Sequence, residues 1–219
     1  MSNQEAFERH LQAAVAFHGH LCLGQMIGVR LAMLGLRLAG IADPLGEDRK
    51  KLMVFVEIDR CAADAIMTVT GSRVGRRSLK IVDNGKMAAT FFNLETGKAV
   101  RICSQPDAQD KALALYPNLD EKAAQMRAYR EMDDVDLFQT APVRVAVKSE
   151  DMPGRPTRKV QCAACGETVL DCRDVALDGQ TLCRPCASGA TYYTPEHASA
   201  EPYTAEQTPD ALRREALIS

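Results

Sequence analysis

Four cysteines fall in the pattern C-x2-C-x17-C-x2-C: Cys162, Cys165, Cys183 and Cys186. Each C-x-x-C pair can turn two thiolates onto one ion, and four thiolates satisfy tetrahedral Zn2+ at about 2.3 Å. Gly166 follows the first pair, as a tight knuckle requires. Asp178-Gly179 sits between the pairs and predicts a hairpin turn. A segment this short buries little core, so the metal must supply its folding free energy. The competing reading is a redox dithiol pair. Cys172, inside the loop, fits no knuckle spacing and reads as a spectator thiol. Arg173 and Arg184 are the only cations of this segment, against Glu167, Asp171, Asp174 and Asp178. That balance argues against binding nucleic acid.

A second cluster is His18-Gly19-His20-Leu21-Cys22. Alternate residues of an extended segment point to one side. His18, His20 and Cys22 therefore converge on one ion or one substrate. The helix that follows places Cys22 at its N-terminus, where the dipole favours a thiolate. Further on, Asp59-Arg60-Cys61-Ala62-Ala63-Asp64 follows a strand. His20, Cys22 and Cys61 together make an N/S ligand set with an open fourth position, the arrangement of catalytic sites. Asp59 or Asp64 then orients a histidine from behind, or Asp64 merely caps a helix. If the site is catalytic, His18, Cys22 and Asp64 are the candidates. The bland alternative is satisfied loop histidines. Gly71 to Lys80 mixes glycines with cations, and Arg73, Arg76 and Lys80 read as an anion cradle. No P-loop consensus is present, so a solvated basic loop is the rival reading. Cys103 reads as core packing, and His10 and His197 as surface residues.

These residues need elements to hold them. Residues 4–17 and about 25–39 read as helices, the second stopped by Gly40. Arg30 and Arg37 lie seven apart and share one face of the second. Residues 52–59 read as a strand and 61–70 as a helix ending at Gly71. Residues 79–82 and 88–93 flank Asp83-Asn84-Gly85, which predicts a hairpin between them. A strand at 99–104, helices at 107–115 and 120–131, and a last strand at 143–147 follow. The fold class is α+β, a mostly antiparallel sheet with packed helices. Residues 1–148 form the core domain, 149–160 a linker, 161–190 the four-cysteine ribbon and 191–219 a polar tail with a short helix near 209–218.

Bulk properties bound the function. The 219 residues are 46% hydrophobic, enough for a real core, and the net charge is -2. That charge disfavours a nucleic-acid partner. The most apolar stretch, 26–40, is too short to span a bilayer. No targeting segment is visible at the N-terminus, so a cytoplasmic, membrane-free protein is expected. In such a reducing compartment, eight cysteines point to metal binding rather than disulfides.

Taken together, F-H-G-H-L-C-x-G, D-x-C-A-x-D-A-I, T-G-x-x-x-G, D-x-G-K and C-x-x-C-G-E resemble the FmdE family, named after the E component of formylmethanofuran dehydrogenase. The resemblance covers residues 5–187, and the ribbon is also similar to the TraR/DksA-type zinc finger. It implies an α+β core that dimerises, with a metal cleft lined by His20, Cys22 and Cys61 and with His18 and Asp64 nearby. It points to Gly71 and Gly75, with Arg76 where the family often has Lys. Leu23 replaces the usual proline, and Ser72 stands where many members have cysteine.

The expectation is a homodimeric metal-binding protein with Zn2+ in the ribbon and Zn2+ or another transition metal in the cleft. The cleft takes a small anionic ligand, linked to molybdenum or tungsten chemistry, that Arg73, Arg76 and Lys80 attract. Two rivals are a regulatory or protein- or nucleic-acid-binding zinc-ribbon module without catalysis, and a thiol redox sensor using Cys22 and Cys61. The sequence does not decide between binding and catalysis.

Overall fold

The computed structural model describes residues 2–194. The chain divides into two compact units, Met1–Pro156 and Thr157–Ser219. The expected helix near 209–218 and His197 lie outside the described residues.

The first unit opens with α1 (Asn3–His18). Its start is a reciprocal cap: Ser2 Oγ accepts from the Glu5 N–H at 3.2 Å, and the Glu5 carboxylate accepts from the Ser2 N–H at 2.8 Å. Phe7, Leu11 and Ala14 form its buried face. Gly19 ends it in the left-handed region, at φ 95. This turn aims the chain away from the α1 axis just where the histidines stand.

Next, α2 (Leu23–Ala39) is buried on nearly every side. Arg30 is the costly residue on it. Its guanidinium donates to the Tyr129 and Met132 carbonyls at 3.0 and 2.7 Å and to Asp134 Oδ1 at 2.8 Å. Arg37, two turns on, takes the other Asp134 oxygen at 2.7 Å. The shared face read from their spacing therefore grips a single carboxylate.

The sheet comprises β1 (Leu52–Val56), β2 (Leu79–Ile81), β3 (Ala88–Asn93), β4 (Ala99–Ser104) and β5 (Phe138–Val143). Its order is β2-β1-β3-β4-β5. Only β1 and β2 are parallel; the other three pairs are antiparallel. Leu52, Val54, Val56, Phe91, Val100 and Ile102 are buried in the helix-covered core. α3 (Cys61–Thr70) leaves β1 and packs chiefly on α2. α4 (Ala108–Leu115), α5 (Glu121–Glu131) and the short α6 (Asp134–Leu137) fill the passage from β4 to β5. The Asp120 carboxylate caps α5 at the Ala123 N–H, 3.0 Å away.

Two expectations fail. The Asp83-Asn84-Gly85 turn exists, with Gly85 at φ 63, but β2 and β3 do not pair. Both pair with β1 instead, and the Glu57 carbonyl at its end accepts from the Asn84 and Lys86 N–H groups. The last strand is 138–143 rather than 143–147, and α6 precedes it. Pro142 obscured that strand. It is tolerated because β5 is an edge.

The stretch read as a linker, 149–160, is not uniform. Residues 149–151 form one helical turn, where Arg77 donates to the Glu150 carbonyl and lies 3.5 Å from Asp151. The division between units falls after Pro156.

Among its described residues, the second unit holds two hairpins. β6 (Lys159–Gln161) pairs with β7 (Thr168–Leu170), and β8 (Asp174–Leu177) with β9 (Gln180–Cys183). The expected Asp178-Gly179 turn joins the second pair, with both residues at positive φ. α7 (Arg184–Ser188) follows β9.

The α2–α3 packing depends on missing side chains. A Cβ at Gly28 would stand 2.7 Å from the Ala65 Cβ and 2.9 Å from both the Ala62 Cα and its carbonyl oxygen. Alanine there gains about 1 kcal/mol of helix propensity but overpacks by about 1–3 kcal/mol. Gly28→Ala is therefore expected to melt a few degrees lower and Gly28→Val lower still. An unchanged melting temperature for Gly28→Val would refute this close approach.

Candidate metal centres

The first centre forms where α1, α2 and α3 meet. His18 is the last residue of α1, Cys22 is the N-cap of α2, and Cys61 opens α3. The left-handed turn at Gly19 brings His18, His20 and Cys22 together, with ligand atoms all within 4.8 Å of one another. The two imidazole rings lie 4.7 Å apart, tilted by 39°.

Asp64, one turn into α3, decides the chemistry of His18. Its Oδ2 lies 2.8 Å from His18 Nδ1. A carboxylate can only accept, so the Nδ1 proton is held there and Nε2 keeps a free lone pair. That Nε2 is buried and has no hydrogen-bond partner. An orphaned buried polar atom costs about 1–3 kcal/mol, which a metal ion would remove. The carboxylate–histidine pairing is the usual second layer of a metal site. The residues present therefore fit a metal ion.

Alternation along H-G-H-L-C put His18, His20 and Cys22 on one side, and the structure groups these three. Cys61, expected to complete a set with His20 and Cys22, lies outside that group of ligand atoms. The convergence is made by the turn at Gly19, where an extended segment was expected. Cys61 remains adjacent. A Cβ at Gly24 would sit 2.9 Å from the Cys61 Cβ and 3.8 Å from Cys22 Sγ, so a bare glycine is needed between them. Burial, and then the neighbouring Cys22 thiol, push the Cys61 pKa up. Asp59 is exposed. Sequence reasoning missed Gln25. It is fully buried, donates from Nε2 to the Cys61 carbonyl at 2.6 Å, and leaves Oε1 without a partner. Its signal was a polar residue on an otherwise apolar helix, three positions after Cys22.

The expected anion cradle is not at this centre. α3 spans ten residues, about 15 Å at 1.5 Å per residue, and the Gly71–Lys80 loop lies at its far end. Arg73 is committed there: it donates to the Met67 carbonyl at 2.6 Å and the Ser72 carbonyl at 2.9 Å, closing the end of α3. Lys80 lies in β2 opposite Phe55. Ser72 is buried at that same far end. A cysteine at this position would not reach the His18 cluster of its own chain.

The second centre is the four-cysteine set. The sulfurs of Cys162, Cys165, Cys183 and Cys186 lie within 4.8 Å of one another. Gly166, at φ 75, closes the first knuckle by donating to the Cys162 carbonyl at 2.9 Å. The Cys183 N–H points at Cys162 Sγ, 3.2 Å away, and the Cys186 N–H at Cys183 Sγ, 3.4 Å away. N–H groups of Cys165 and Cys183 pull the Cys162 pKa down to about 6. The neighbouring Cys183 and Cys162 push Cys186 up to about 12. The Cys162 thiolate is favoured while those of Cys165 and Cys186 are opposed by neighbouring thiols, a conflict that a divalent cation resolves. Cys172 is exposed, at φ 55, and stands outside the cluster.

The sequence profile described as "FmdE, Molybdenum formylmethanofuran dehydrogenase operon" matches residues 17–150. The chain belongs to the FmdE family. The match takes in the His18 cluster, Cys61 and Asp64 and stops short of the four cysteines. A probable S-adenosyl-L-methionine-binding protein of Archaeoglobus fulgidus is 29% identical over 152 residues, 68% of this chain. This chain spans only 36% of that relative's length. A tungsten formylmethanofuran dehydrogenase FmdE-like protein from Syntrophus aciditrophicus has a crystal structure that covers 85% of this chain and 95% of its own, at TM-score 0.57 and 22% identity. That likeness supports the FmdE fold. No helix among the described residues is long and apolar enough to cross a membrane.

The Asp64 contact makes a quantitative expectation. Asp64→Asn should weaken metal binding at the His18 cluster by about 10–100-fold and leave the four-cysteine centre unchanged. Competition with a chromophoric chelator reads both. Unchanged affinity at the first centre would mean that Asp64 does not orient a metal-binding His18.

Proposed function

We propose that this FmdE-family protein carries a working metal ion on His18, His20 and Cys22 and a structural Zn2+ on its four C-terminal cysteines. The observation that carries the reading is the orphaned His18 Nε2, buried beside a second imidazole and a thiol while Asp64 holds the opposite nitrogen. Two imidazoles and one thiolate suit Zn2+ or a neighbouring transition metal. Three protein ligands leave one tetrahedral position for an exogenous group. A divalent ion with one thiolate keeps a net positive charge, so that group is a small anion or hydroxide. When bound, the ion supplies Lewis acidity to an oxygen in the open position.

The chain's own residues set the terms of binding. Asp64 fixes the ring and tautomer of His18. Cys22, the N-cap residue of α2, presents its sulfur beside the two imidazoles. Gln25 holds the first turn of α3, through the Cys61 carbonyl, against α2. The link to formylmethanofuran, molybdenum or tungsten chemistry rests on the family's description and on the name of the Syntrophus relative.

The contact between Cys22 and Cys61 favours a second reading, a redox thiol pair. Titration of free thiols before and after peroxide tests it, and an unchanged count removes it.

Elemental analysis tests the main proposal. Wild type should carry two metal ions per chain, and Cys22→Ser and Cys162→Ser one each, from different centres. One ion per chain in wild type, with no change in Cys22→Ser, would overturn the working centre.

A further inference from the structure

The loop before β1 and the loop after α3 meet at an open cavity of about 550 Å3. Three cations line it: Arg49, Lys50 and Arg76. Leu52, Leu94 and Met152 also line it, and no acidic side chain does. We infer that this cavity is a separate ligand site for a small organic phosphate.

The charges are available for a ligand. The side chains of Arg49, Lys50 and Arg76 make no hydrogen bond or ion pair among the described residues. Three acids of the adjoining segments are engaged elsewhere. Asp48 and Glu95 sit on Lys51, at 3.2 and 3.0 Å, and Asp151 lies 3.5 Å from Arg77. Arg73 closes α3 and is equally occupied. Three cations without counter-ions around one concavity match a group with at least two negative charges. Guanidinium forks suit phosphate oxygens, and a lysine adds a mobile point charge.

The apolar part of the lining selects the rest of the ligand. Leu52 is buried and forms a fixed floor, whereas Met152 is 38% exposed and can repack over a ligand. Inorganic phosphate would leave this apolar wall unused. An ester with an organic body uses both halves, and the volume falls within the range of about 300–1,000 Å3 common for small-molecule pockets. No aromatic side chain lines the cavity to stack the bases of a single strand. The chain's net charge of -2 also disfavours a polyanion. The cavity is at the start of β1 and the end of α3, whereas Cys61 stands at the start of α3. It therefore stands independently of the metal reading.

Isothermal titration of the full chain with AMP, ATP, riboflavin phosphate, inorganic phosphate and a single-stranded oligonucleotide tests the inference. At least one organic phosphate should bind with one site per chain, more tightly than inorganic phosphate. Arg76→Ala, and the Arg49→Ala/Lys50→Ala pair, should each weaken it at least tenfold with metal content and melting temperature unchanged. Lys122→Ala, an exposed cation elsewhere on this unit, should not weaken it. The inference is overturned if no organic phosphate binds, if those variants bind it as wild type does, or if inorganic phosphate or the oligonucleotide binds more tightly.

Discussion

At Gly28 the backbone of α2 comes so near to α3 that even one methyl group would meet Ala62 at 2.9 Å. One turn earlier, Gly24 leaves the same kind of gap over Cys61. These two glycines, against Ala62 and Ala65, let two helix N-termini lie side by side. Cys22 caps one and Cys61 opens the other. The first metal centre depends on this approach. A wider spacing would part the thiols and withdraw Asp64 from His18. The approach is in turn held by a core that needs no metal, built from β1, β3 and β4 with Phe7, Leu11 and the length of α2.

The two centres thus differ in what the metal does for the protein. The His18 cluster is assembled by a large apolar core, so an ion there is bound by a nearly finished site. Among its described residues, the four-cysteine unit has only a small apolar cluster around Cys162, Leu182 and Cys183. Its hairpins are too short to stand alone, so the ion is part of its fold.

Sequence patterns revealed both centres unevenly. The four-cysteine spacing is local, and local geometry fixes it completely. H-G-H-L-C was equally visible and named the three residues that converge, but not the left-handed turn at Gly19 that brings them together. The partnership of His18 with Asp64 spans 46 positions. It was legible only as one of two roles for that carboxylate. Sheet order was hidden for a similar reason. Asp83-Asn84-Gly85 specifies a turn but says nothing of β1 lying between the strands it joins. Pro142 hid an edge strand, because the cost of proline depends on which side of the strand is unpaired. Arg76 stood out in a glycine-rich basic loop. Its companions at the cavity, Arg49 and Lys50, come from a different loop, and only the fold brings them together.

The central claim is a metal ion on two imidazoles and one thiolate. X-ray absorption at the metal edge tests it directly, on a Cys162→Ser/Cys165→Ser chain whose remaining ion belongs to the first centre. The account predicts a mixed shell, with two nitrogens at about 2.0–2.1 Å and one sulfur at about 2.3 Å. A shell without sulfur, or a chain that retains no metal while its core unit stays folded, would contradict it.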